Sequence, residues 1–190
     1  LIAVLDSGIS VGSGSSTDVT DIDANIASFL TGSDVVNSDN VPQDDDNNGG
    51  TAIGSGHGSH VAGIIASEKN NSGGLHGVAY DSTLHIIKVL DSDGNGSATD
   101  IAAGMDLARG VSSMDIVNIS IGGSTVTGSS SCNSASSCET NLGSTLYTAM
   151  EALGAANIIT VYAAGNSTNS SPSSLAGAAI YDDDFKETTV

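Results

Sequence analysis

The sequence predicts an α/β domain in which a mostly parallel sheet is covered by helices. Segments of strand character alternate with segments of helical periodicity four times along the 190 residues. The first strand segment, Leu1–Leu5, is wholly apolar, which fits a strand covered on both faces rather than one lying on water. The length suits about one domain, and neither an internal repeat nor a linker divides it.

Leu1–Leu5 ends in Asp6-Ser7-Gly8. An acid at the C-terminal end of a buried parallel strand stands where α/β folds place active-site groups. On the tripeptide alone, a turn or N-cap aspartate is an equally good reading. Residues 10–56 read mostly as loop. Asp18, Asp21 and Asp23 cluster early, and Asp44-Asp45-Asp46-Asn47-Asn48-Gly49-Gly50 follows. This second run superficially resembles a calcium loop but lacks the EF-hand spacing with its distal Glu, so it reads as a solvated acidic loop.

The stretch Gly54-Ser-Gly-His57-Gly-Ser-His60-Val-Ala-Gly-Ile-Ile-Ala66 crowds one histidine with small residues and opens a helical pattern. Val61, Ile64 and Ile65 fall at i, i+3 and i+4, the spacing of one apolar helix face. Ala62 and Gly63 lack bulk, so this helix can sit tightly on a neighbour. His57 lies at or just before the helix N-terminus, and a histidine held so rigidly is a candidate general base. The pattern breaks at 69–74. Leu84–Leu90 reads as a strand, and 91–96 as a turn. Residues 99–109 read as a helix with Ile101, Met105 and Ala108 inward and Thr99 or Asp100 as N-cap. Met114–Ile121 is a strand, followed by a Ser-rich cysteine loop. Residues 142–155 form a helix through Leu142, Leu146, Met150 and Leu153. Asn157–Ala163 is the last strand, closed by Ala164-Gly165-Asn166.

Hydrophobic residues make up 38% of the chain, aromatics 3%, and Trp is absent, so the core is built from Ala, Val, Ile and Leu. The formal net charge of −18 repels nucleic-acid phosphates and anionic lipid, which argues against both as partners. Solubility, cation binding and adaptation to salty or cold water each account for the acid excess. The only cysteines, Cys132 and Cys138, lie close together in one polar stretch. Their spacing favours a local disulfide and an oxidising compartment, with two free thiols as the alternative. No second Cys/His pair has zinc spacing. No apolar run is long enough to span a membrane. The chain starts at a strand, without a leader or Met, and reads as the interior of a longer protein.

Asp6, His57 and Asn166 thus stand at strand ends or at a helix start, in loops of small residues. Their chemistry fits together: a carboxylate orients an imidazole, the imidazole takes a proton, and an amide donates to a developing oxyanion. Ala3-Val4-Leu5-Asp6-Ser7-Gly8 resembles the aspartate motif of the subtilisin family of serine peptidases. His57-Gly58-Ser59-His60-Val61-Ala62-Gly63 resembles its histidine motif, with Ser59 where Thr is usual. Val161-Tyr162-Ala163-Ala164-Gly165-Asn166 resembles the segment ending in its oxyanion asparagine. The order Asp before His is that of subtilisin itself. The similarity runs from Leu1 to about Asn166 and includes Gly77-Val78-Ala79 and Lys88-Val89-Leu90.

The resemblance implies the family's three-layer sandwich, and a serine endopeptidase acting on protein or peptide substrates outside the cell. It implies that Asp6 holds the histidine tautomer, that His57 is general base and then acid, and that Asn166 serves the oxyanion. Ser120-Ile121-Gly122 would pair with the substrate backbone. Ala163, Ala164 and Gly165 would line a pocket for a large uncharged side chain. His60 would pack structurally. No cofactor is needed for the chemistry. A structural calcium is possible after the histidine helix, with Asn71 as side-chain ligand, carbonyls from Lys69, Gly73 and Leu75, and Asp18 as a carboxylate partner.

The family's Gly-Thr-Ser nucleophile motif does not occur in the 190 residues, and neither Ser124 nor Ser167 opens a buried apolar helix. The expectation is therefore residues 1–190 of a partial peptidase domain, incomplete at the C-terminus. Its nucleophile would lie in the missing part of the domain, and the chain alone would be inactive. The competing readings are a non-catalytic fragment or pseudoenzyme that binds peptide or cation, a metallohydrolase using His57 and His60 without the adjacent Glu of the zinc motif, and an acidic adhesin.

Overall fold

The structure, a computed structural model, describes residues 1–10, 21–44, 56–69, 76–122, 134–166 and 174–181. They belong to two units, Leu1–Gly96 and Ser97–Val190.

In the first unit, β1 (Ile2–Asp6) and β2 (Leu84–Lys88) pair in parallel, from Ile2 opposite Leu84 to Asp6 opposite Lys88. Every residue of β1 is buried, as its unbroken apolar run requires. The expected loop also covers β2. Ala27 donates to the Leu84 carbonyl at 2.8 Å and Val35 to that of Lys88 at 3.0 Å, while Lys88 donates back to Ser33 at 2.8 Å. These bonds occupy ladder groups that an open strand edge would leave unpaired. Lys88 itself is 0% exposed, and its ammonium donates to the carbonyls of Ser7 and Leu90, both at 2.8 Å. Two backbone acceptors thus hold a buried cation where the chain leaves β1 and β2.

Helix α1 (His57–Ala66) starts at the expected histidine but turns an unexpected face inward. Gly58, Ala62 and Ala66, at i, i+4 and i+8, are buried. Val61 and Ile65 are only partly buried, and Ile64 is 56% exposed. The reason is close backbone approach. A Cβ on Gly58 would run into the Gly8 carbonyl oxygen, and one on Gly77 into the backbone of Ala66 and Ser67. Helix, strand-end loop and the 77 loop lie nearer than branched side chains allow, so the small-residue stripe wins over the bulkier one. His60 is exposed rather than packed.

In the second unit, β3 (Ile116–Ile119) and β4 (Ile159–Tyr162) also pair in parallel, with Ile119 opposite Tyr162. Helix α2 (Ala98–Arg109) buries Ile101, Met105 and Ala108 as its periodicity predicts. Its N-cap is Ser97, not Thr99 or Asp100. Ser97 has the extended backbone that a cap requires, and Asp100 stands at the third helical position, where it completes a capping box with Ser97. The cysteine stretch is not wholly loop: Ala135–Leu142 forms α3, capped by Ser134 and carrying Cys138. Gly143, at φ 78°, then separates α3 from α4 (Ser144–Ala155), so Leu142 ends one helix instead of beginning the next. Leu146, Ala149, Met150 and Leu153 form the buried face of α4, which packs on α2. A fifth helix, α5 (Ser174–Tyr181), was not anticipated; it packs on α3. Among the described residues, no helix is long and apolar enough to cross a membrane.

The face chosen by α1 is testable. G58A should lower unfolding stability by about 1–3 kcal/mol, because backbone must move to admit the methyl group. I64S, on the exposed side, should stay within about 0.5 kcal/mol of wild type. Urea unfolding of both variants checks this, and the reverse ranking would place the helix the other way round.

Candidate active site

Asp6 closes β1, and its side chain is 0% exposed. One carboxylate oxygen, Oδ1, accepts from the Ser7 amide at 2.8 Å and pairs with His57 Nδ1 at 2.6 Å. The other, Oδ2, is buried and has no hydrogen-bond partner among the described residues. Burial pushes the Asp6 carboxyl above its ordinary value of 3.8, outweighing the lowering by the His57 and Ser7 hydrogen bonds. A nearby carboxylate, Asp44, adds a smaller upward push.

His57 is the first residue of α1, so its backbone is set by the helix and its ring by Asp6. The side chain is 42% exposed, leaving part of the ring open to a reactant. In the neutral tautomer whose Nδ1 proton is directed to Asp6, Nε2 keeps its lone pair. That tautomer is the one a general base needs.

Asp44, which the sequence places in a solvated acidic loop, is only 4% exposed. Its Oδ1 accepts from the Ser7 hydroxyl at 2.9 Å, and its Oδ2 from the Ser59 hydroxyl at 2.9 Å and the Ser59 amide at 3.3 Å. The Ser7 hydroxyl accepts in turn from the Gly58 amide at 2.9 Å, and the Ser59 hydroxyl from the Ser10 amide at 2.8 Å. The segment before Asp44 runs beside the strand-end loop: Ile9 donates to Pro42 and Asp44 to Ile9, both at 2.8 Å. Asp44 opens a run of three aspartates. Nothing in that run marks the first as buried. The motif hydroxyls at 7 and 59 were the available hint that a buried acceptor was needed.

In the second unit, Ser120-Ile121-Gly122 follow β3, and Ala163-Ala164-Gly165-Asn166 follow β4. Because these strands are parallel neighbours, the two segments leave the sheet side by side, linked by the Ala163 amide donating to Ile119 at 3.2 Å. Ile121 is buried, whereas Gly122, Ala164, Gly165 and Asn166 are exposed. Gly165 has φ 105°, a conformation that favours glycine. The Asn118 side-chain amide donates to the Ser120 hydroxyl at 2.9 Å.

Cys138 is buried on α3, and no described cysteine is free, while Cys132 lies outside the described residues. Asn71, Gly73, Leu75 and Asp18 also lie outside them, as do Ser124 and Ser167. Lys69 is described, and its ammonium sits 4.9 Å above the Tyr80 ring. Among the described residues, no three His, Cys, Asp or Glu side chains converge to hold a metal ion.

A buried carboxylate at the end of a parallel strand, bonded to an imidazole at a helix start, marks an α/β protein built around a carboxylate–imidazole pair. The chain belongs to the subtilase family, whose model matches residues 1–184. It is 36% identical to subtilisin of Bacillus pumilus over 177 residues, covering 93% of this chain and 50% of that protein. It is 35% identical to subtilisin E of Bacillus subtilis (strain 168), covering 93% of this chain and 36% of that protein. The chain therefore spans half or less of the length of these curated relatives. Among solved structures, a protease of Pseudoalteromonas arctica PAMC 21717 is similar at a TM-score of 0.59 and 30% identity, covering 87% of this chain and 49% of that one. Sphericase is similar at a TM-score of 0.59 and 26% identity, covering 89% and 47%. The α/β subtilisin-like fold is the one expected.

The raised Asp6 value sets a direction for stability against pH. The folded state holds this proton more tightly than the unfolded chain. Its contribution is complete below 3.8 and is lost as pH rises through the raised folded value. D6N removes that titration. Its stability relative to wild type should therefore climb as pH rises through this window, measured by urea unfolding across a pH series. Parallel curves for the two proteins would refute the assignment.

Proposed function

We propose that this chain carries the acid–base machinery of a secreted serine endopeptidase acting on protein substrates. The 2.6 Å bond from Asp6 to a half-open His57 is the observation that supports this reading most. Asp6 holds the imidazole with Nδ1 protonated and stabilises the imidazolium that follows. His57 Nε2 takes the proton of a serine hydroxyl as that oxygen bonds to the scissile carbonyl carbon. It then gives the proton to the leaving amine as the C–N bond breaks. Asn166 donates to the oxyanion formed between these steps.

Ser120-Ile121-Gly122 pair with the extended substrate backbone, a role suited to a segment that continues from a strand end. Ala163, Ala164 and Gly165 line an uncharged pocket for the residue before the scissile bond, and a peptide panel should favour large uncharged side chains over Arg or Asp there. Because the 190 residues contain no Gly-Thr-Ser, the nucleophile is assigned to the remainder of the domain. That same absence favours the second reading, a non-catalytic subtilase fragment or pseudoenzyme that binds peptide or cation.

Cys132 and Cys138 form a local disulfide in this proposal, in keeping with secretion and with the absence of a free cysteine among the described residues. Calcium after the histidine helix, held by Asn71 with the Lys69, Gly73 and Leu75 carbonyls, remains an expectation of the resemblance. No catalytic step is routed through it.

The coding sequence beyond Val190 should supply a Gly-Thr-Ser segment, and the full-length product should cleave casein while the 190-residue chain does not. In that product H57A should lower kcat by about 10⁶ and N166A by about 10²–10³, magnitudes known from subtilisin itself rather than obtained from this geometry. Serine-directed inhibition of turnover by the short chain would defeat the nucleophile assignment. Peptide binding without turnover by the full-length product would favour the second reading. Thiol titration of the unfolded chain should find no free thiol before reduction and both cysteines after it.

A further inference from the structure

We infer that Asp44 is a positioning residue for the Asp6–His57 pair, acting as the N-terminal cap of α1 from a distant part of the chain. The inference rests on reading Asp6 and His57 as the working acid–base pair. A helix leaves its first amide donors without intrahelical partners, and a side chain at the N-cap normally answers those of the second and third helical residues. Here the N-cap is Gly56, which has no side chain and makes no capping bond. The second and third helical residues are Gly58 and Ser59.

Their amides are answered from elsewhere. Gly58 donates to the Ser7 hydroxyl at 2.9 Å and Ser59 to Asp44 Oδ2 at 3.3 Å. Ser7 donates its own hydroxyl proton to Asp44 Oδ1 at 2.9 Å, and Ser59 donates its hydroxyl proton to Oδ2 at 2.9 Å. One buried carboxylate therefore joins the residue after Asp6 to the second residue after His57. Its negative charge also lies at the positive end of α1. The ring of bonds closes next to the 2.6 Å contact, so it fixes how far the helix start stands from the strand end.

A carboxylate at 44 accepts on both arms and brings a negative charge. An asparagine accepts on one arm and can only donate on the other, so D44N reverses one arm and removes the charge at the helix start. Asp6 faces two titratable groups, His57 and Asp44, and Asp44 adds to the upward push on its carboxyl. That push is smaller than the lowering by the His57 hydrogen bond, so loosening the pair should move the Asp6 midpoint up.

The test is NMR of the 190-residue chain, reading the His57 Nδ1 proton and the Asp6 carboxyl carbon across a pH series. In D44N the Nδ1 resonance should broaden beyond detection, and the Asp6 midpoint should rise. S59A should weaken the resonance, and S59T, which keeps the hydroxyl, should restore it. A folded D44N with a sharp, unshifted Nδ1 resonance or an unmoved Asp6 midpoint would overturn the proposal. If D44N does not fold, S59A decides: an unchanged resonance there overturns it equally. These readings concern the pair itself. Failure of the peptidase reading would instead appear as absent turnover by the full-length product with the pair and its cap intact.

Discussion

The hydrogen bond between Asp6 and His57 requires a helix start to be pressed against a strand end, and much of the first unit is arranged to permit that approach. A Cβ on Gly58 would collide with the Gly8 backbone, and one on Gly8 with the Pro42 carbonyl. The helix turns its glycine and alanine stripe inward and leaves Ile64 outside, a choice that gives up apolar burial for proximity. Burying a branched side chain contributes roughly 1.5–3 kcal/mol, so the preference for the smaller face marks how firmly backbone contact constrains this region.

The same approach dehydrates three charged side chains. Asp6, Asp44 and Lys88 are all buried, and unpaired charges there would each cost several kcal/mol. Each is met by polar groups instead: an imidazole and an amide for Asp6, two hydroxyls and an amide for Asp44, and carbonyls for Lys88. Ser7 belongs to all three sets, through its amide, hydroxyl and carbonyl respectively. The second unit is built differently. Its helices α2 and α4 meet through Ile101, Met105, Leu146, Met150 and Leu153, an ordinary apolar contact between amphipathic faces.

Because Asp6 and His57 both lie within residues 1–96, a chain that spans half or less of these relatives still contains the complete carboxylate–imidazole pair. Subtilase membership therefore does not depend on the segment that would carry the serine.

Much of this was legible in the residue order. Leu1–Leu5 announced a doubly covered strand, Asp6 and His57 stood in recognisable motifs, and Ile101, Met105, Leu146, Met150 and Leu153 marked their helix faces by spacing alone. Periodicity and short motifs are local properties, and local chain chemistry settles them. The inward face of α1, the cap of that helix and the burial of Asp44 were not legible. Each depends on which backbone comes within reach across more than a dozen residues of sequence: Gly8 against Gly58, and Asp44 against Ser7 and Ser59. A pattern of side chains shows what a segment can bury. Only the folded chain decides which surface it meets, because steric exclusion and hydrogen-bond pairing act between segments the sequence keeps apart.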